Sequence, residues 1–199
     1  MHIFAFADSH GANEINERLK EIISDDMADV IVCAGDYTHF AHRPQDLYNL
    51  LEEAKVPVIY VFGNHEHDVK SCHINCGTDV DKQVVIINEV AYCGLSGHDL
   101  FNQSRQWRMV EVFDYFKKKL SSLSYKKLVF VTHEPPSSWR WPDNEDKYAG
   151  CPAIDTFIKE VSVDLVICGH LHVDEAAETM IDGQTRVINP SSTGTFIDI

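Results

Sequence analysis

Asp29-Val30-Ile31-Val32-Cys33-Ala34-Gly35-Asp36 is the stretch from which the architecture follows. Its apolar, β-branched run is short and stops at Gly35-Asp36, a turn signal, so it reads as a buried strand ending on a carboxylate. Asp8 lies 28 residues before Asp36, and Asn64 lies 28 residues after it. Each closes an apolar run of its own: Ile3 to Ala7 leads into Asp8-Ser9-His10-Gly11, and Val56 to Phe62 leads into Gly63-Asn64. Helical patterns fill the intervals. Ile15, Leu19, Ile22 and Ile23 make one stripe of Ala12 to Met27, and Pro44 starts a helix reaching Ala54. One strand-helix-strand advance takes about this length of chain. Parallel strands advanced in this way carry Asp8, Asp36 and Asn64 side by side to the sheet edge where ligands collect in layered α/β proteins.

Beyond Asn64 the pattern is less regular. Gln83 to Asn88 and Val90 to Leu95 are β-rich and predict a hairpin across Asn88-Glu89. Gln103 to Leu120 has a helical period, with Trp107, Val110, Phe113 and Leu120 as its expected core. Lys127 to Thr132 is a strand leading into a Pro-, Trp- and charge-rich segment, Glu134 to Gly150. A helix over about Pro152 to Val161 precedes the strand Asp164 to Cys168, and strands follow at Thr185 to Ile188 and Thr193 to Ile199. With no repeat, low-complexity tract or linker, residues 1–199 are expected to form one domain. Its class is layered α/β rather than a purely parallel sheet.

The composition, 44% hydrophobic and 24% charged, is that of a soluble globular protein. No apolar run reaches the roughly 18 residues of a membrane span. Met1-His2-Ile3-Phe4 lacks a basic n-region and enters a strand, so a cytoplasmic location is expected. A net charge of −14 argues against long nucleic acids, which gain affinity by exchanging counterions for Lys and Arg. Six cysteines do not make a disulfide scaffold. Cys33, Cys93 and Cys168 lie in strand-like runs and are expected to be buried thiols, while Cys72-His73-Ile74-Asn75-Cys76 reads as a variable loop rather than a metal cluster.

Five strand ends finish in metal-ligating residue types: Asp8-Ser9-His10, Gly35-Asp36, Gly63-Asn64-His65-Glu66, Thr132-His133 and Gly169-His170-Leu171-His172. Residues two apart in extended chain point to the same side. Asp8 with His10, and His170 with His172, are therefore each expected to present two ligands to one pocket. Asn64 and His65 are adjacent and should diverge.

The ordered series D-x-H, G-D, G-N-H-E, H and G-H-x-H resembles the calcineurin-like metallophosphoesterase superfamily, from Asp8 to His172. Thr132-His133-Glu134-Pro135-Pro136 and Asn189-Pro190-Ser191-Ser192 resemble its small, prokaryotic-type members. The resemblance implies a two-sheet β-sandwich flanked by helices, an α/β/β/α layering, with the active site at strand C-terminal ends. It implies two divalent ions, one held by Asp8, His10, Asp36 and His172, the other by Asp36, Asn64, His133 and His170, with Asp36 bridging. His65 stays free of metal as the catalytic residue. These N and O donors, without thiolate, suit Mn²⁺, Fe²⁺ or Zn²⁺. The implied chemistry is attack of a metal-bridging hydroxide on a phosphate ester, with His65 protonating the leaving alkoxide or steadying the transition state. Two divalent ions would also draw phosphate to a protein of its own sign.

The isolated histidines His2, His42, His67, His73 and His98 are read as surface or hydrogen-bonded residues. His39 either packs in its loop or lies near the leaving group. The protein phosphatases of the superfamily carry G-D-x-x-D-R-G where this chain has Gly35-Asp36-Tyr37-Thr38-His39-Phe40, and the missing acid and arginine argue against that activity. Trp139, Arg140 and Trp141 suit stacking on a base and pairing with phosphate, and equally suit folding their loop onto the domain. Arg105 and Arg108 are read as solvated helix charges. The expected substrate is a small phosphodiester, such as a cyclic nucleotide, in preference to a phosphomonoester. A non-catalytic binding module is disfavoured by the presence of His65, and a nuclease by the charge.

Overall fold

Alternate residues of each apolar run point to opposite faces, and in this chain both faces are covered. The structure, a computed structural model, describes residues 1–42, 44–66, 69–97, 105–139 and 150–199. β1 (His2–Phe6), α1 (Asn13–Ser24), β2 (Val30–Cys33), α2 (Gln45–Glu53) and β3 (Val58–Tyr60) alternate as expected. A short helix α3 (Val69–Cys72) and strand β4 (Thr78–Asp79) come next. Then follow β5 (Val84–Ile87), β6 (Val90–Leu95), α4 (Arg105–Ser121), β7 (Lys127–Thr132), α5 (Pro152–Val161) and β8 (Leu165–Ile167). β9 (Ala177–Ile181), β10 (Thr185–Asn189) and β11 (Thr195–Asp198) complete the order.

The first sheet runs β11-β1-β2-β3-β4, with β11 antiparallel at its edge and the other four parallel. Phe6 pairs with Cys33 and Cys33 with Tyr60, so these three strands end level. The second sheet runs β5-β6-β7-β8-β10-β9, parallel in its centre and antiparallel at both edges. The β5–β6 hairpin turns at Asn88 and Glu89, with φ 50° and 66°, the paired left-handed residues of a type I′ turn.

Three apolar layers result. Ile3, Ala5, Val30, Val32, Ile59 and Val61 meet Tyr92, Val129, Val131 and Ile167 between the sheets. Phe4, Phe6, Ile31, Cys33, Tyr60 and Phe62 face Ile15 and Leu19 of α1 and Leu47 and Leu51 of α2. On the far side, Cys93, Phe130 and Val166 face Met109, Phe113 and Phe116 of α4 and Phe157 of α5. Strands buried on both faces read as continuous apolar runs, which is why their positions are legible in the sequence. This is the layered α/β class read from the residue pattern, and the two mixed sheets flanked by helices are what the resemblance implied.

Some local expectations need correction. Val110 is 55% exposed, because the buried stripe of α4 is Met109, Phe113, Phe116 and Leu120, and Val110 lies about 100° round from it. The Trp107 side chain lies outside the described residues. Pro44 precedes the first turn of α2 as its N-cap. The sequence pattern does not reveal α3, β4 and β9, which are too short or too half-exposed to carry a period. Cys33, Cys93 and Cys168 are buried free thiols; Cys72 is also buried, whereas Cys76 is exposed. No helix among the described residues is long and apolar enough to cross a membrane.

Candidate metal centre and active site

The strands bring the five clusters to one edge, and backbone bonds tie the clusters together there. Asp8 N–H donates to Gly35 O (3.0 Å), His10 N–H to Asp36 O (2.9 Å), His133 N–H to Leu95 O (3.2 Å) and Gly169 N–H to His133 O (3.0 Å). The chain leaves the strands through left-handed residues: Asp8 (φ 54°), His10 (φ 45°), Asp36 (φ 52°) and His170 (φ 69°). For L residues such backbone costs roughly 1 kcal/mol each and concentrates at functional sites. It also corrects the extended-chain argument. Asp8 and His10 do approach a common cluster, but by turning, while His170 and His172 part to different neighbours.

Glu66, unassigned by sequence reasoning, is the anchor of the turn. Its fully buried carboxylate accepts from Gly63 N–H (2.7 Å), Asp36 N–H (2.9 Å), Thr38 N–H (2.8 Å) and Thr38 Oγ1 (2.7 Å). Burial pushes its pKa up, against the pull of those donors. A Cβ on Gly63 would collide with Asp36 Oδ1, so only glycine lets this backbone pass the carboxylate. The one sequence signal for Glu66 is its place inside G-N-H-E.

Asp36 is buried beside His133. Its Oδ1 accepts from His65 N–H (2.8 Å), and its Oδ2 lies 3.4 Å from His133 Nε2 and 4.0 Å from His65 Nε2. Burial raises the Asp36 pKa, but hydrogen bonding and charge from His133, with the His65 N–H, outweigh it and hold the group at about 2. Burial likewise lowers the His133 pKa, and the carboxylates of Asp36 and Asp8 reverse this, lifting it to about 9. His133 Nδ1–H donates to Ala34 O (2.9 Å), which turns Nε2 toward Asn64 Oδ1 at 3.0 Å. His170 Nδ1 meets the same amide oxygen at 2.9 Å.

Asp8 takes His170 N–H on Oδ1 at 3.0 Å, and its pKa is raised, chiefly by burial. Its other oxygen, Oδ2, is buried without a hydrogen-bond partner. His10 holds Thr38 O through Nδ1 (3.2 Å) and faces His172 through Nε2 (3.1 Å). Burial pushes the pKa of His10 and of His65 down. Among the described residues, three groups have ligand atoms mutually within 4.8 Å: Asp8, His10 and His172; Asp8, Asp36 and His133; His10, His39 and His65.

The model of the calcineurin-like phosphoesterase family matches residues 1–174. The chain belongs to that family. The phosphoesterase is 25% identical over 206 residues to an uncharacterized protein of Methanocaldococcus jannaschii, covering 99% of this chain and 91% of that one. Its fold superposes on the protein TT1561 of Thermus thermophilus with a TM-score of 0.73 at 17% identity, covering 96% of this chain and 89% of the other. It superposes on a dimetal phosphatase from Danio rerio with a TM-score of 0.70 at 13% identity, covering 97% and 88%.

The remaining expectations divide. His39 stands beside His10 and His65, ring centroids 5.9 and 5.5 Å away, at the mouth of the site. Trp139 is 8% exposed, packed in the layer under α4 and α5. Its indole is therefore part of that packed layer, and stacking on substrate is corrected for this residue. Arg140, Trp141, His67 and His98 lie outside the described residues, as do the side chains of Arg105 and Arg108. His2 stacks on Phe196 and His73 bonds Tyr60, both apart from the ligand clusters, while His42 belongs to none of them but its N–H donates to His39 O.

Proposed function

We propose that this phosphoesterase, acting as one domain over residues 1–199, is a binuclear metal-dependent hydrolase of small phosphate esters that takes diesters at least as well as monoesters. The observation that carries the reading is Asp8 Oδ2. It is buried and unpartnered, and Asp8 belongs to two of the three ligand clusters among the described residues. An unsatisfied carboxylate oxygen in the interior is costly unless a cation takes it.

The donor set fits two ions. Neighbouring atoms ringing one ion at about 2.1 Å lie about 3 Å apart in octahedral and about 3.4 Å in tetrahedral geometry. His10 Nε2 to His172 Nε2 is 3.1 Å, and Asn64 Oδ1 lies 3.0 and 2.9 Å from ring nitrogens of His133 and His170. In this reading Asp8, His10, Asp36 and His172 hold one ion, Asp36, Asn64, His133 and His170 the other, and Asp36 is shared. Two ions of Mn²⁺, Fe²⁺ or Zn²⁺ would supply polarisation of the phosphoryl oxygens and acidify water for attack on phosphorus.

The chain's own residues do the rest. Glu66 fixes the turn that carries Asp36, and Ala34 O fixes the His133 ring, the supporting contacts that set ligand orientation. His65 Nδ1 accepts Phe40 N–H at 3.4 Å, so the ring proton sits on Nε2, the nitrogen nearer Asp36. That nitrogen is placed to pass a proton to a leaving oxygen or to hydrogen-bond a phosphoryl oxygen.

Diesters are favoured because the second block has no arginine to grip a dianion, and the chain carries −14. A diester, with one negative charge, loses less to both. The test is kcat/KM for matched p-nitrophenyl mono- and diesters on metal-reconstituted protein. A monoester preference beyond about tenfold, some 1.4 kcal/mol, overturns diester selectivity. Cleavage of neither by protein holding two ions leaves the binding-module reading standing.

A further inference from the structure

Phe40 is the most exposed large apolar side chain among the described residues, at 63%, and it stands at the mouth of the site. Its ring lies nearly parallel on His65, with centroids 4.2 Å apart and an interplanar angle of 28°. His39 meets it edge-on at 4.9 Å. Burying a phenyl ring is favourable, yet here two successive left-handed residues, Phe40 (φ 47°) and Ala41 (φ 61°), hold it out in water. The turn is pinned rather than loose. Ala41 N–H donates to His65 O (2.9 Å), His42 N–H to His39 O (3.0 Å) and Phe40 N–H to His65 Nδ1 (3.4 Å). Its root is fixed by Thr38, whose N–H and Oγ1 both donate to buried Glu66. Strained backbone held by several independent bonds, presenting an apolar face beside the reactive histidine, is the signature of a positioned recognition element.

We propose that Phe40 is the platform on which a planar aromatic substituent of the ester stacks, which makes the site selective for aryl or heterocyclic esters. This rests on the hydrolase reading above and specifies its substrate class. Among the described residues, His65 takes one face of the ring, His39 meets it edge-on, and the rest of the side chain, 63% exposed, is open to a ligand. The substituent held there is the one that departs on the His65 side, so stacking aligns the leaving oxygen with Nε2. Binding energy from that ring is then available to the chemical step. A lone ring flush against His65 is too small an apolar area for a protein interface. It is the size of one aromatic group.

The experiment compares methyl phosphodiesters of phenol and of a naphthol, leaving groups of similar acidity but different ring area, on metal-loaded protein. Wild type is expected to favour the naphthyl ester in kcat/KM by about tenfold, the scale of one stacked ring. Phe40→Ala should bring the ratio near one, and Phe40→Trp should restore it. Taking the ratio within each variant cancels any general slowing from a disturbed His65. A parallel calorimetric titration with phenyl and naphthyl phosphonates, which cannot be hydrolysed, reads the platform without turnover. A naphthyl preference that Phe40→Ala abolishes, seen without turnover of any ester, upholds the platform and removes the hydrolase reading. Turnover with equal ratios in wild type and Phe40→Ala overturns the platform and leaves the hydrolase. Absence of both binding preference and turnover overturns the two together.

Discussion

His133 and His172 stand in the two halves of one site under opposite conditions. His133 is wholly buried, its Nδ1 tied to Ala34 O and its Nε2 set between Asn64 and Asp36. His172 has 67% of its side chain in solvent and faces His10 Nε2 at 3.1 Å. The deep half is built by the fold before any ligand arrives: Glu66, Ala34 and the backbone of Gly63 hold its donors in place. The shallow half, with His10, His39, Phe40 and His172, is where the site meets solvent. Built-in rigidity and access to solvent are thus divided between two sides of Asp36 and Asp8.

The hardest blow to that division is Asp36→Asn. A carboxylate shared by both halves should be needed by both, so this variant is expected to lose both ions and all turnover. Metal analysis after gel filtration checks it, and an unchanged content of two ions would end the shared-ligand reading.

His65→Ala probes the gap between the halves. It should retain both ions yet lose about 10²–10⁴-fold in turnover, the usual worth of a general acid. The loss should shrink for a p-nitrophenolate leaving group, which needs little protonation. Equal losses across leaving groups would make His65 a phosphate-positioning residue, and loss of an ion would make it a ligand.

Two matched substitutions sharpen the contrast in stability. In metal-free protein, His133→Ala should cost about 2–4 kcal/mol, since it empties a buried position and removes the ring's contacts to Ala34 O, Asn64 and Asp36. His172→Ala should stay within about 0.5 kcal/mol, as exposed positions do. Urea unfolding of both measures the difference, and equal costs would mean that the shallow half is as built-in as the deep one.

The smallest effect is pH dependence of the metal-free protein. Asp36 is held at about 2, below an unfolded carboxyl near 4, so its contribution is lost as pH falls through about 2. His133 is raised to about 9, so the folded state binds its proton more tightly. Its contribution is complete below about 6.5 and is lost as pH rises through about 9. Unfolding free energy should therefore drop by roughly 1–3 kcal/mol between pH 6 and pH 9.5. His133→Ala should flatten that slope, and a slope unchanged by the substitution would assign the titration elsewhere.

Much of this is legible in the sequence, for a physical reason. β1, β2 and β3 are short, apolar on both faces and equally spaced, so their order and the convergence of Asp8, Asp36 and Asn64 follow from chain length alone. The Asn88-Glu89 turn is legible because a two-residue link between β-rich runs leaves little else. β9 is not, since it is half-exposed and gains its identity from pairing with β10. The sequence allows Trp139 two uses, and packing against the α4 and α5 layer decides for the core.

What the sequence determined by itself was local and ordinal: which segments bury two faces, and which donor residues stand at their ends in which order. Only tertiary structure decided how those donors are aimed. The left-handed turns at Asp8, His10, Asp36 and His170 are not encoded by hydrophobic period, since none of the four is glycine. They are imposed by bonds between segments distant in the chain, such as Asp8 N–H to Gly35 O, His170 N–H to Asp8 Oδ1 and Asp36 N–H to Glu66. The same holds for Phe40, an apolar residue that any periodic reading would bury. Its exposure is the net result of contacts with His65 that exist only once β2 and β3 lie side by side.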